Sequence, residues 1–192
     1  RDPLGAAARS HVHHTPAWVN PPGWARLALY RNLPDTVRSF GVDFRDALEV
    51  AGLPADTFDS PDGRLPFPEL GELLSACERL TGCDHILFEA ARHVGLDDMG
   101  LAGRLARCSD SAGEALKKLC DHYTLQATAS ILSVVTSGTY ARLAFAVVQP
   151  GMNGTRQFQV GAMTVALNIL RELCGPGFLP TVVTFACRSP AH

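Results

Sequence analysis

The sequence predicts an α+β domain, in which a helical amino-terminal half packs on a small antiparallel sheet covered by a long apolar helix. Helical patterns come first along the chain, and two extended runs, a long helix and a further extended run follow. In the second extended run Leu143, Phe145 and Val147 alternate with small or polar residues. Such period-two spacing is typical of a half-buried strand. Helices followed by strands favour the α+β class over an alternating α/β fold.

The predicted sheet begins with a hairpin and includes a later strand. Two runs, Thr128–Val135 and Tyr140–Val148, are joined by the four residues TSGT. Glycine suits such a tight turn because it adopts a positive φ without strain. After a Gly-Pro-Gly break, the apolar and β-branched run Thr181–Cys187 is predicted to add a third strand.

The long helix is predicted over Arg156–Cys174, and it is apolar on nearly all sides. One stripe contains Phe158, Ala162, Val165 and Ile169, and another contains Met163, Ala166, Leu170 and Leu173. A helix with two apolar stripes is buried on both, or buried on one and in contact with a partner on the other. We therefore assign Met163, Leu167 and Leu170 as candidate dimerisation residues.

The helices of the amino-terminal half are predicted from their end signals. Helical patterning begins near Trp24 and resumes over Asp35–Phe40. The remaining signals are Asp43 as an N-cap with Gly52 as the stop, Pro68 in a first turn with Thr81-Gly82 as the end, Asp84 as an N-cap, a short helix at Leu101–Cys108, and Ser109 or Ser111 as an N-cap. Pro54–Pro68 is predicted to be a loop. Residues 1–23 are predicted to be a flexible tail, and 24–192 one domain.

Composition and charge limit the class of protein. The chain has 192 residues, of which 46% are hydrophobic and 19% charged, with a net charge of −2. These values are typical of one globular domain and disfavour direct binding to nucleic acid or an acidic membrane. There is no apolar run of about 18 residues and no signal-peptide core. The six cysteines contain no C-x-x-C pair, so we expect reduced thiols and a cytoplasmic location.

No residue pattern predicts an enzyme, a metal site or a cofactor. The G-x-S-x-G and H-E-x-x-H motifs are missing. His85 and His93 are eight residues apart, about 12 Å along a helix, which is too far to share one ion. Cys120 and His122 diverge by about 200° on a helix, which argues against a Cys–His dyad. A thiol-dependent enzyme remains only a weaker alternative.

Several stretches in order resemble the amino-terminal domain of AraC-type bacterial transcription regulators. The resemblance begins with GVDFRDALEVAGLPADTFDSPDGRLPFPELGELLSACERLTG, continues with MGLAGRLARCSDSAGEALKKLCDHY, and ends with VTFACRSPAH. It covers about residues 35–192. Each motif is weakly specific alone, whereas the ordered series is fairly specific. Cys187 stands where the family often has histidine.

The resemblance implies a domain that binds a small effector and promotes dimerisation, while a carboxy-terminal domain with two helix-turn-helix units binds the promoter. We expect that DNA-binding domain to be absent here, and the sensing domain to be truncated at its carboxy end. An apolar or carboxylate-bearing effector is expected in an apolar pocket. From their positions on strands and helices, the candidate ligand-binding residues are His122, Tyr123, Tyr140, Arg142 and Phe158. A structural dimerisation module without a ligand is the alternative.

Overall fold

A computed structural model describes residues 22–60 and 62–186, which form an α+β fold. The predicted fold class is therefore confirmed. The described residues form four β-strands and seven α-helices: β1 Trp24–Arg26, α1 Leu33–Ser39, α2 Phe44–Val50, β2 Arg64–Pro66, α3 Phe67–Thr81, α4 Ile86–Ala91, α5 Gly100–Arg107, α6 Ala112–Asp121, β3 Ser130–Ser137, β4 Tyr140–Val147 and α7 Thr155–Cys174. Short 3-10 helices occupy Leu27–Tyr30, Leu96–Met99 and Tyr123–Leu125. The predicted tail lies outside the described residues except for its last two positions.

The predicted hairpin is present, with the predicted facing. β3 and β4 pair antiparallel from Ser130 opposite Val147 to Ser137 opposite Tyr140. Gly138 forms the turn with a φ of +59°, a conformation that favours glycine. Alternate β4 residues are partly buried and exposed, so one face of the ribbon lies against the domain. The second sheet pairs β1 with β2.

Most of the predicted helix ends are confirmed by their hydrogen bonds. The Asp43 carboxylate accepts a hydrogen bond from the Arg45 backbone N–H at 2.9 Å, as an N-cap does. At α6 the Ser111 hydroxyl accepts from the Glu114 N–H at 3.2 Å. Helix α3 has proline in its first turn and ends at Gly82, whose φ is +66°. These signals could be recognised because each acts within a few residues.

The prediction of a helix from Trp24 is wrong, and so is that of an uninterrupted loop up to Pro68. Trp24–Arg26 is a strand that pairs with Arg64–Pro66 inside that loop. The Arg26 N–H also donates to the Gln126 carbonyl at 2.8 Å, a partner 100 residues away. Distant backbone partners therefore override the local helical pattern.

Two further predictions are corrected. Residues 181–186, predicted as part of a third strand, are exposed and form no strand, and Cys187 lies outside the described residues. A strand needs a neighbouring strand to satisfy its backbone groups, and these residues have none within the described chain. At α4 the N-cap is His85 and not Asp84. The Asp84 carboxylate contacts His85 and Arg156 instead.

Two clusters of buried side chains form the core, and α7 contributes to both. The first cluster joins α1–α4 and includes Phe158 from the start of α7. The second joins α5, α6 and the 3-10 helix before them, and includes Ile169 from the end of α7. The long helix therefore spans the two halves of the core. No helix of the described chain has the length and apolar character required to cross a bilayer.

Two polar side chains of α7 fix this helix against α4. Gln157, which is 2% exposed, accepts from the Leu87 N–H at 3.3 Å and donates to the Asp84 carbonyl at 2.6 Å. The Asn168 amide donates to the Ala91 and Val94 carbonyls at 3.0 and 2.9 Å. These two side chains therefore hydrogen-bond backbone groups at both ends of α4.

Candidate functional site

A cavity of about 80 Å³ lies between the two core clusters and beneath α7. The Leu29 and Tyr123 side chains pack against both clusters, and both residues line the cavity. The lining residues are Leu29, Tyr30, Phe67, Leu87, Ala91, Met99, Leu116, Leu119, Tyr123, Ala127, Leu132, Leu143, Phe145, Phe158, Gly161, Ala162, Met163, Val165, Ala166 and Ile169. An apolar cavity with few polar groups is the usual form of a small-molecule site.

Helix α7 can form the roof of this cavity because small residues lie along its inner face. A side chain on Gly161 would place its Cβ 2.6 Å from Leu87 Cγ, so glycine permits the close approach of α7 to α4. Ala162 and Ala166 line the cavity together with the larger Phe158 and Ile169. The small residues of α7 thus lie where the helix faces the cavity.

Aromatic rings form much of the wall. The Phe158 ring packs edge-on against Phe67 and Tyr30, with centroid distances of 5.4 and 6.1 Å. Tyr123 packs in the same way against Phe145 of β4 at 6.2 Å. Edge-to-face contacts of this kind contribute about 0.5–1.5 kcal/mol each beyond simple burial. They fix the orientation of both tyrosine rings at the cavity.

The two tyrosine hydroxyls are the polar side-chain groups of the lining, and both stay neutral near neutral pH. Burial raises the pKa of the Tyr123 phenol to about 12. Burial also raises the pKa of Tyr30, and the neighbouring Tyr123 adds to this rise. The Ser130 hydroxyl is close enough to Tyr123 to offset part of its shift, yet it has no well-formed hydrogen bond among the described residues. The two tyrosines are therefore the neutral polar residues of an otherwise apolar wall among the described residues.

The structure places two of the five candidate ligand residues in the cavity wall, namely Tyr123 and Phe158. The ring of His122 is directed to its own helix, with Nδ1 2.9 Å from the Lys118 carbonyl oxygen. Tyr140 is 72% exposed, and Arg142 is also exposed, on the outer face of the hairpin. Residues on the inner face of β4, Leu143 and Phe145, line the cavity in their place.

Sequence reasoning missed the lining residues of the amino-terminal half. Tyr30 and Phe67 lie about 90 residues or more from α7 in sequence, and nothing in the local pattern links them to it. The alternation of β4 was the available signal for the strand side of the wall, because it assigned Leu143 and Phe145 to the inner face.

The outer side of α7 carries an apolar stripe that differs from the predicted second stripe, because Ala166 lines the cavity and Leu173 packs against the second core cluster. The members of this outer stripe are Val160, Met163, Leu167, Leu170 and Cys174. They follow a 3-4-3-4 spacing, extend over about 21 Å of helix, and are partly or fully exposed. Of the three candidate dimerisation residues, Met163 also lines the cavity and Leu170 packs against the second core cluster. Leu167 lies at the centre of the stripe.

The described residues contain no cluster of metal ligands, and burial raises the thiol pKa of two of their cysteines. No group of three or more His, Cys, Asp or Glu side chains in residues 22–60 and 62–186 could hold a metal ion. Cys77 is fully buried, and burial raises the pKa of its thiol to about 12. Burial likewise raises the pKa of Cys120. Since the thiolate is the nucleophile, these two cysteines have the character of structural residues.

The molecule is thus an α+β domain whose long helix covers an apolar cavity. A family model described as the arabinose-binding domain of AraC transcription regulators, amino-terminal, matches residues 41–192. The chain belongs to this family of transcription-regulator domains, which confirms the resemblance found in the sequence.

A curated relative is consistent with this assignment. The chain is 26% identical over 167 residues to the ornithine utilization regulator of Pseudomonas aeruginosa. The match covers 86% of this chain and 49% of the relative, so the chain spans about half the length of the relative that it matches.

Proposed function

We propose that this chain is the effector-sensing and self-associating region of an AraC-type regulator, and that the cavity beneath α7 is its effector site. The observation that carries the proposal is the position of α7, which forms the roof of the cavity on one side and presents an apolar stripe on the other. A ligand that changes how α7 packs would change the stripe as well. The whole regulator would act in the bacterial cytoplasm and bind promoter DNA through a separate carboxy-terminal domain.

Coupling between the two sides requires that the effector bind one arrangement of the domain more tightly than another. The two core clusters on either side of the cavity provide such an element, because α7 is fixed at both ends by Gln157 and Asn168 while its middle lies over the cavity. Met163 lines the cavity and belongs to the outer stripe. We therefore expect that a ligand in the cavity would move Met163 and so change the surface of the outer stripe.

The chemistry of the cavity suits neither of the two molecules that the family description and the relative's name mention. Arabinose carries several hydroxyl groups, and ornithine carries charged amino and carboxylate groups. Burying such groups without partners is costly, and Tyr30 and Tyr123 are the hydroxyl-bearing side chains among the described lining residues. We therefore assign Tyr123 and Phe158 as ligand contacts. The other three candidate ligand-binding residues, His122, Tyr140 and Arg142, would contact a ligand only after a rearrangement.

Ligand binding at this cavity predicts a thermal shift that a cavity-filling substitution abolishes. Small aromatic and aliphatic compounds such as benzyl alcohol and 1-hexanol should raise the melting temperature of the chain. A ligand present at a hundredfold its Kd should add about 2.7 kcal/mol to the stability. In Ala166→Leu, the larger side chain occupies the cavity, so the shift should disappear while the unliganded protein stays folded. Differential scanning calorimetry measures both quantities.

The control for this experiment is Ala144→Leu, the same change on the exposed face of β4. It should leave the ligand-induced shift intact. If no compound from a broad set that includes sugars, amino acids and organic acids shifts the melting temperature, the sensing function is wrong. Equal loss of the shift in Ala166→Leu and Ala144→Leu would show that the cavity is not the site. The domain would then fit the alternative of a structural dimerisation module.

Self-association through the outer stripe of α7 predicts that Leu167→Glu yields a monomer. The 3-4-3-4 spacing of the stripe is that of helices packing along a shared seam, and a charge at its centre would be buried without a partner. Light scattering after size-exclusion chromatography should give twice the chain mass for the parent and the chain mass for the variant. Leu101→Glu is the control, because Leu101 is 52% exposed on α5, away from the stripe. A dimeric Leu167→Glu would rule out this interface.

A further inference from the structure

We propose that the cavity selects a neutral ligand, with an apolar body and one hydrogen-bonding head group such as a hydroxyl or carbonyl, and rejects carboxylates and amines. This inference rests on the proposed function, because it names the class of effector for the same site. It also replaces the expectation of a carboxylate-bearing effector held by Arg142. Its basis is the charge, polarity and size of the cavity.

The described residues of the cavity wall are uncharged. None of the described residues that line the cavity carries a formal charge at neutral pH. Arg26, Arg31 and Arg107 are paired with Asp62, Asp98 and Glu172. Arg142 of β4 is exposed on the outer face of the hairpin and is not among the lining residues. A carboxylate moved from water into this cavity would lose its hydration and gain no cation, a cost that ordinarily prevents binding. The same reasoning applies to an amine, which would find no carboxylate.

The cavity wall also contains two neutral hydrogen-bonding side chains. Tyr30 and Tyr123 both line the cavity, and Tyr123 is one cause of the raised pKa of Tyr30. A phenol or a hydroxyl donates to a ligand oxygen and can accept from a ligand hydroxyl. An alcohol, ketone or ester would satisfy these groups while its hydrocarbon part contacts the leucines and phenylalanines.

The cavity is also small. The cavity of about 80 Å³ is smaller than the roughly 150 Å³ of an engineered apolar cavity that holds benzene. A ligand of six or more carbons must therefore displace part of the wall. Met99 and Met163 both line the cavity, and methionine adapts to such changes more readily than branched side chains. The ligand body is expected to be small, and its entry would move Met163 on α7.

The test compares compounds that share one body and differ in the head group. Benzyl alcohol, benzoate, benzylamine and toluene form one series, and 1-hexanol and hexanoate form a second. At pH 8, calorimetric titration of the chain should detect the alcohols and toluene. Benzoate and hexanoate should bind at least about a hundredfold more weakly, and benzylamine, of which a small fraction is neutral at this pH, at least about tenfold more weakly. The apparent affinity for benzoate should rise about tenfold for each unit that the pH falls from 8 to 6, because only the neutral acid enters and its fraction grows in that proportion. The affinity for benzyl alcohol should not change over that range.

Substitutions that remove one phenol hydroxyl each test whether the two lining tyrosines hydrogen-bond the ligand. Tyr123→Phe and Tyr30→Phe keep the ring and should weaken benzyl alcohol about fivefold each, the usual effect of losing one hydrogen bond, while leaving toluene unchanged. Tyr140→Phe is the matched control, because Tyr140 is exposed on the outer face of the hairpin. It should alter neither affinity.

The outcomes separate this inference from the proposed function. Benzoate that binds at pH 8 as tightly as benzyl alcohol, and that Ala166→Leu displaces, would overturn the neutral-ligand inference and leave the sensing function standing. Equal affinities of the parent and both Tyr→Phe variants for benzyl alcohol would also overturn it. If no compound of any charge binds in the cavity, the sensing function itself is wrong, and the inference fails with it.

Discussion

Phe158→Ala should lower the free energy of unfolding by about 3–5 kcal/mol. The Phe158 side chain is 2% exposed, belongs to the first core cluster, and packs edge-on against Tyr30 and Phe67. Its removal would lose the burial and dispersion contacts of one large ring and leave empty space next to the existing cavity. Urea unfolding followed by circular dichroism measures this change.

Two further measurements make this prediction specific. Phe40→Ala is the control, because Phe40 is 44% exposed after α1 and its loss should cost no more than about 1 kcal/mol. The enlarged cavity of Phe158→Ala should also accept an apolar molecule, so toluene should raise the melting temperature of the variant more than that of the parent. A loss below about 1 kcal/mol would mean that α7 does not lie on the first cluster as described.

Gly103→Ala should destabilise the protein by about 1–3 kcal/mol or more, although alanine ordinarily stabilises a helix relative to glycine. Gly103 lies in α5, where that helix turns back onto the 3-10 helix Leu96–Met99. A Cβ at this position would overlap the carbonyl oxygen of Leu96 and lie 3.1 Å from Met99 Cβ. Because the first of these contacts is with backbone, side-chain rotation cannot relieve it, and α5 would have to move.

Gly113→Ala is the matched control, because Gly113 lies in α6 and no atom outside its own stretch of helix lies within 4 Å of the position of its added Cβ. That variant should be about 0.4–1 kcal/mol more stable than the parent, since the unfolded chain loses freedom and the folded chain gains no strain. Opposite signs for the two substitutions, measured by thermal unfolding, are the expected result. A stabilising Gly103→Ala would contradict the close contact between α5 and the Leu96 carbonyl.

Features that depend on neighbouring residues could be predicted from the sequence alone. The caps at Asp43 and Ser111 and the stop at Gly82 act within one turn of helix. The alternation along β4 defines its inner face because a strand has a period of two residues. The apolar residues on nearly all sides of α7 likewise indicated that two faces of this helix make contacts. The candidate site residues Tyr123 and Phe158 came from these patterns.

The tertiary structure decided which distant segments meet. It turned Trp24–Arg26 into a strand by providing partners at Arg64–Pro66 and Gln126, and it left residues 181–186 unpaired. It also placed Tyr30 beside Tyr123 in the cavity, and left Arg142 outside it. Local patterns specify which face of an element is buried and where the element ends. They do not specify which buried faces adjoin, because that depends on contacts between segments that are about 100 residues apart in sequence. The polarity and size of the cavity follow from those contacts.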